Sequence, residues 1–240
     1  MVETPRWHFA ANKKGGGQVK RDMVDQIVEV ARRVVASGAI SANAHGNVSL
    51  RVAGEDEMYF TGGSTLRDHP AEAVVRVGLD GILREGELTP IQGAVVEMHT
   101  AMYADQADIG CVIHTHSPYA TAYAVAHQPI GCWVEALAML GLPDGVPLAS
   151  YGPRGSAHAI GNIRAAVVPG VPAVLLANHG VLVFHRTADL AIMIGGIVEE
   201  AAQAGINAVG LGGAVPIPAD MKAAALQRAM TLERRGTISA

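Results

Sequence analysis

The chain has 240 residues, half of them apolar and 17% charged, with a formal net charge of −4. A chain of that length and composition can bury a sizeable core of its own, which excludes a disordered segment. With 18 basic against 22 acidic residues it has no cationic surplus to displace counterions from a phosphate backbone, which excludes a dedicated nucleic-acid binder.

Residues 1–20 read as a flexible arm around Gly15-Gly16-Gly17, with no apolar segment of the secretory kind. From Arg21 the pattern turns helical. Met23, Ile27, Val30, Val34 and Val35 recur at three- and four-residue spacing, and Gly38 suits a C-cap. Small polar residues then lead into a strand where Val48, Leu50 and Val52 alternate with Ser49 and Arg51. A returning strand at 58–63 follows, then another at 74–79, with Asp80-Gly81 as a tight hairpin into Ile82 and Leu83. Thr89 caps a helix that begins at Pro90 and runs to about Ala104. Residues 110–116 read as a strand, Ser117-Pro118 opens a short helix, and 130–134 is a short strand candidate. Two apolar runs split by Asn178-His179-Gly180 predict strand, turn and strand, and a long helix spans 189–208. Past Gly210 comes a tail with a last helical segment over 221–232.

Strands interleave with helices while hairpins occupy the middle, which predicts a mixed or largely antiparallel sheet flanked by helices. The expected division is an arm over 1–20, a metal-binding α/β/α domain over 21–209, and a C-terminal tail and helix over 210–240 at a subunit interface. Cys111 and Cys132 form no disulfide framework and read as buried thiols in a reducing compartment. No apolar stretch reaches the roughly 20 residues of a membrane span. The expected setting is the cytoplasm, with no membrane partner.

The chemistry-bearing pattern is in the histidines. His114 and His116 are two apart in a strand-like run, so both rings project to one face. Their nitrogens can converge on one ion. Of the other histidines, His179, in a turn at a strand end, is the best third ligand; His45, His99, His127, His158 and His185 compete with it. Three imidazoles leave zinc an open position, as a catalytic site requires, and Mn²⁺ or Fe²⁺ would also accept them. His99, on the preceding helix, reads as a supporting or core histidine. Two small polar loops, Gly46-Asn47-Val48-Ser49 and Thr61-Gly62-Gly63-Ser64, sit at neighbouring strand ends and can form an anion nest from backbone N–H groups. Neither is a Walker or dinucleotide sequence.

These stretches, with residues 98–122 and 175–180, follow one another in an order that resembles the class II aldolase/adducin family. The resemblance covers about residues 22–206. It implies a three-layer α/β/α fold with a central, mostly antiparallel sheet, in a homo-oligomer, usually a cyclic tetramer. It implies a divalent metal, commonly zinc, on His114, His116 and His179. It places Asn47 and Thr61 in the substrate pocket, with Ser49, Gly62 and Ser64 of the same loops as further substrate-binding residues.

The chain also departs from that pattern. Family aldolases carry a catalytic glutamate four positions before the helix histidine, and here that position is Val95. Two small hydroxyl residues that often help hold phosphate are replaced by Gly93 and Ala94, and no tyrosine follows Tyr151. Glu97 lies about 200° around the helix from Val95, on nearly the opposite face. Glu135 falls where the family has a pocket tyrosine, and is the expected catalytic acid or base.

The implied function is a metal-dependent lyase. A small hydroxy-carbonyl substrate chelates the ion, which stabilises the enediolate left by C–C cleavage. Release of an aldehyde would make it an aldolase, and release of carbon dioxide from a hydroxy-aromatic or hydroxy-keto acid a decarboxylase. A non-catalytic interaction module of the adducin type is the alternative of another class. The histidine trio speaks against it.

Overall fold

Alternation along the strands decides the architecture. The computed structural model describes residues 21–63, 65–168 and 170–234, so the arm expected over 1–20 lies outside the described residues. Strands β1 (Gly46–Arg51), β2 (Glu57–Thr61), β3 (Val74–Gly78), β4 (Leu83–Glu85), β5 (Cys111–Thr115), β6 (Leu148–Ala149), β7 (Ala173–Leu176) and β8 (Gly180–His185) form one sheet. Its order is β4-β3-β2-β1-β5-β8-β7-β6. Every pairing is antiparallel except β6 with β7.

The helices are α1 (Arg21–Ala36), α2 (Pro90–Asp105), α3 (Pro118–Val125), α4 (Glu135–Met139), α5 (Ala157–Ala166), α6 (Ala188–Ala208) and α7 (Ala219–Arg234). They divide between the two faces of the sheet. Val48 and Leu50 of β1, Cys111 and Ile113 of β5, and Val181 and Val183 of β8 share one apolar core with Ile27 and Val30 of α1 and Ile194 and Val198 of α6. The intervening residues point the other way. Val112 of β5, Val174 of β7 and Leu182 of β8 join Met98 and Met102 of α2 and Ile163 of α5 in a second core. This is the three-layer α/β/α arrangement with a mixed, mostly antiparallel sheet. Period-two side-chain alternation gives each strand two apolar faces, and both are covered by helices.

Local signals hold where short-range chemistry dominates. Thr89 caps α2 with a full capping box to Gln92, and Gly81 adopts φ +81° in the hairpin. Cys111 and Cys132 are buried and free. The strand expected over 130–134 does not form. Ile130 makes a single bridge to Val146, and the chain then turns so that the Trp133 indole N–H reaches the Ala201 carbonyl at 2.7 Å. Strand β6 and helix α5 carry no strong sequence signal and complete the edge of the sheet. The tail returns onto its own chain. Ile217 N–H bonds to the Cys132 carbonyl, and α7 packs on α4.

Candidate metal centre

The site lies at one end of the central strands. Cross-strand register puts Asn47 of β1 directly opposite His114 of β5, on the face that α2 covers. Strand β5 ends at Thr115, so His116 is the first residue beyond it. His179 comes from the turn between β7 and β8. There Asn178 takes φ +58°, its N–H bonds to the Ala124 carbonyl and its amide oxygen lies 2.7 Å from the His127 Nε2. Gly180 makes this turn possible. A Cβ there would stand 2.5 Å from the Thr115 carbonyl oxygen and press on the His114 and His116 rings, so any larger residue would wedge the cluster apart.

The rings of His114, His116 and His179 form a near-equilateral triangle, with centroids 5.1, 4.7 and 5.0 Å apart. One nitrogen from each lies within 4.8 Å of the others. The spacing around a tetrahedral ion at about 2.0–2.1 Å is about 3.4 Å, so small ring tilts close the site. His114 Nδ1 donates to the Val181 carbonyl at 2.9 Å, which fixes its tautomer and leaves Nε2 free as a ligand. Burial holds all three rings below the usual imidazole range, His179 at about 4 and His114 well below its ordinary value, with neighbouring histidine charges adding to the effect on both. The three are therefore neutral ligands at pH 7. The donor set fits a divalent ion.

Under the triad runs a buried polar relay that sequence reading left unassembled. His99, fully buried and with its pKa pushed down to about 3, is neutral and carries one ring proton. Its Nε2 lies 2.6 Å from the Asn47 amide oxygen, which can only accept, so the proton sits on Nε2. Nδ1 then accepts from the Ser49 hydroxyl at 2.7 Å, and Ser49 Oγ accepts from the Tyr103 hydroxyl at 2.8 Å. The relay orients Asn47 so that its NH₂ is free to donate into the cavity that the side chain lines. The signal was present in the sequence as alternation, because Asn47 and Ser49 share a face with α2. Its partners on α2 could not be identified by spacing.

Two cavities flank the triad. One, of about 440 Å³, is lined by His45, Asn47, Gly63, Gln92, His114 and His116 among others. The second, of about 240 Å³, is walled by Met98, Ile160, Ile163 and Leu176 and reaches His179. Val95 and Arg154 line both. The counting that put Val95 at the family's glutamate position therefore leads to a residue of the site. Glu97 lines neither cavity. Arg154, on the loop before α5, places Nη2 3.2 Å from His179 Nε2. It escaped sequence reading because nothing local marks it.

The other expected site residues stand as follows. Ser49 is fully buried within the relay. Thr61 is 1% exposed, and its hydroxyl accepts from the Val48 N–H at 2.8 Å. Gly62 is buried and gives its N–H to the Ala73 carbonyl. None of these three lines either cavity, whereas Gly63 does. Ser64 lies outside the described residues. Glu135 is exposed at the start of α4 and is not brought to the triad of its own chain.

The chain is similar to known proteins across most of this architecture. A 5-methylthioribulose-1-phosphate/5-deoxyribulose-1-phosphate aldolase of Rhodospirillum rubrum is 31% identical over 177 residues, 74% of this chain and 77% of that protein. An L-fuculose phosphate aldolase of Escherichia coli is 24% identical, covering 85% and 89%. A solved structure of an L-fuculose 1-phosphate aldolase superposes with a TM-score of 0.78 at 25% identity, over 89% of this chain and 99% of the other. Triad and kinship together make this protein a metal-dependent lyase with an aldolase-type mechanism. Residues 25–206 match the class II aldolase and adducin N-terminal domain, and the chain belongs to the class II aldolase/adducin family.

Proposed function

We propose that the protein binds Zn²⁺ on His114, His116 and His179 and cleaves a C–C bond in a small hydroxy-carbonyl compound by retro-aldol chemistry. The observation that carries this reading is the triangle of neutral imidazoles with His114 Nε2 left free. Bound there, the ion supplies a Lewis acid that stabilises negative charge on the substrate carbonyl oxygen as the bond breaks. The chain does the rest. Asn47, oriented by His99, Ser49 and Tyr103, donates to a substrate oxygen in the larger cavity. Thr61 and Gly62, buried behind that wall, shape it, Gly63 lines it, and Ser64 is the further substrate-binding residue of this reading. Glu135, exposed on α4, serves as acid or base in a neighbouring subunit of a cyclic tetramer. Exposed apolar residues at Val209, Leu211 and Val215 support an interface along the tail that follows α6. Among the described residues no helix is long and apolar enough to cross a membrane, and we place the protein in the cytoplasm.

Decarboxylation is the second reading, favoured by Val95. Retro-aldol cleavage must remove a hydroxyl proton, whereas loss of carbon dioxide needs only protonation of the carbanion. A site walled by valine at the acid position suits the latter. Metal analysis of unchelated protein, with aldehyde and carbon dioxide release measured over phosphorylated and unphosphorylated hydroxy-carbonyl compounds, tests both. About one ion per chain and aldehyde release support the first reading. Less than about 0.2 ion per chain with no activation by Zn²⁺ or Mn²⁺ overturns it. Glu135→Gln should lower turnover with metal content intact, and an unchanged rate removes Glu135 from the mechanism.

A further inference from the structure

The geometry points to Arg154 as a carboxylate-binding residue, and so to a substrate that is an acid with an apolar body. The inference rests on the triad holding an ion, as proposed above, and goes further by naming the substrate class. Neither cavity is lined by an aspartate or glutamate, and no acidic side chain among the described residues pairs with Arg154. Its guanidinium instead faces the Nε2 of a histidine of the metal triad at 3.2 Å. An arginine cannot give up its charge. An ion on the triad would therefore stand beside a fixed cation with no protein anion between them, and Val95 fills the place where a carboxylate could have stood.

An incoming anion resolves that repulsion by bridging the two. A carboxylate next to a keto or hydroxyl oxygen is the best fit, because one carboxylate oxygen and its neighbour can chelate the ion while the planar fork of the guanidinium takes the rest of the group. The phosphorus of a ketose 1-phosphate lies three bonds from the carbonyl carbon, where the carboxylate carbon of a 2-oxo acid lies one bond away, so only the acid presents its anion and its carbonyl oxygen side by side. The body of the substrate has a place as well. Arg154 stands at the wall shared by both cavities, and the smaller one is lined mostly by aliphatic side chains, Met98, Ile160, Ile163 and Leu176 among them. Against those aliphatic walls a branched alkyl or aromatic group buries better than a polyhydroxylated chain, with Ser150, Tyr151 and Asn178 as the polar part of the lining. Arg154 is exposed, so an anion arriving from solvent meets it before the ion.

The test uses Co²⁺-loaded protein, whose visible spectrum reports ligand binding without turnover. The probes are 2-oxoisovalerate, the uncharged ketone of the same skeleton, and inorganic phosphate. In the wild type the acid should bind at least about tenfold more tightly than the ketone, and Arg154→Gln should lower acid affinity about tenfold with ketone affinity and cobalt content unchanged. If Arg154→Gln also loses cobalt, Arg154→Lys is measured instead, and should weaken the acid by a smaller factor because charge stays and the fork is lost. Equal acid affinity in wild type and variant overturns the inference, as does a variant that loses phosphate binding but keeps the acid. Failure of the wild type to take up cobalt would refute the metal reading itself, a distinct result.

Discussion

His99 gives the sharpest test of the relay under the site, through the pH dependence of folding. Its folded pKa is about 3 against an ordinary 6.5, because burial penalises the charged ring. The folded state therefore binds fewer protons than the unfolded one wherever the pH lies between these values. Stability from this residue is complete above pH 6.5 and is lost as pH falls toward 3. Each pH unit in that window costs about 1.4 kcal/mol, so moving from pH 8 to 4.5 costs on the order of 3 kcal/mol from His99 alone. His99→Leu removes that dependence. It also removes the acceptor of the Ser49 hydroxyl proton and the donor to the Asn47 amide oxygen, which lowers stability at pH 8 by about 2 kcal/mol or more. The advantage of the wild type over the variant should thus shrink as pH falls, by on the order of 3 kcal/mol between pH 8 and 4.5, so that the two curves meet or cross. Urea unfolding followed by circular dichroism, in chelator and at fixed protein concentration, measures both curves, and the other buried histidines cancel in the difference. A gap that stays constant across this range would show that His99 does not titrate as a buried neutral ring, and the proton order assigned to the relay would fall with it.

Three further outcomes follow from packing. Ser49→Ala removes the acceptor of the Tyr103 hydroxyl and the donor to His99, and should cost about 1–3 kcal/mol in urea unfolding while metal content stays unchanged. Its effect on turnover should exceed its effect on KM, because Asn47 loses its fixed orientation. Gly155 has φ +71°, and a Cβ there would lie 2.7 Å from the Ala94 Cβ, so Gly155→Ala should lower the Tm by several degrees, at a cost of about 1–3 kcal/mol. Glu199 accepts from the Tyr119 and Ala120 N–H groups at 2.8 Å each, closing the start of α3. Glu199→Gln turns one acceptor into a donor facing an N–H, and should destabilise by about 1–3 kcal/mol with the ion site intact, as thermal melting and metal analysis would report.

Much of this protein is determined by its sequence alone. The apolar stripe of α1, the Thr89-Pro90 start of α2 and the Asp80-Gly81 hairpin are short-range facts, set by capping, fixed dihedrals and side-chain alternation. The HxH spacing at 114 and 116 belongs with them, because a strand turns both rings to one side without help from the rest of the chain. So does the turn at Asn178, whose φ of +58° is one that asparagine adopts readily.

Tertiary structure decided what distance in sequence hides. That His179 meets the pair depends on β8 lying beside β5 and on Gly180 allowing close approach across it. That Ser49 acts through His99, and that Glu135 stays on the outer surface of its own chain, depends on which helix covers which face. Arg154 reaches the centre from a loop with no local signature. Spacing along a chain fixes direction over a few residues, while contact between elements far apart in sequence is set by packing, which no single segment contains.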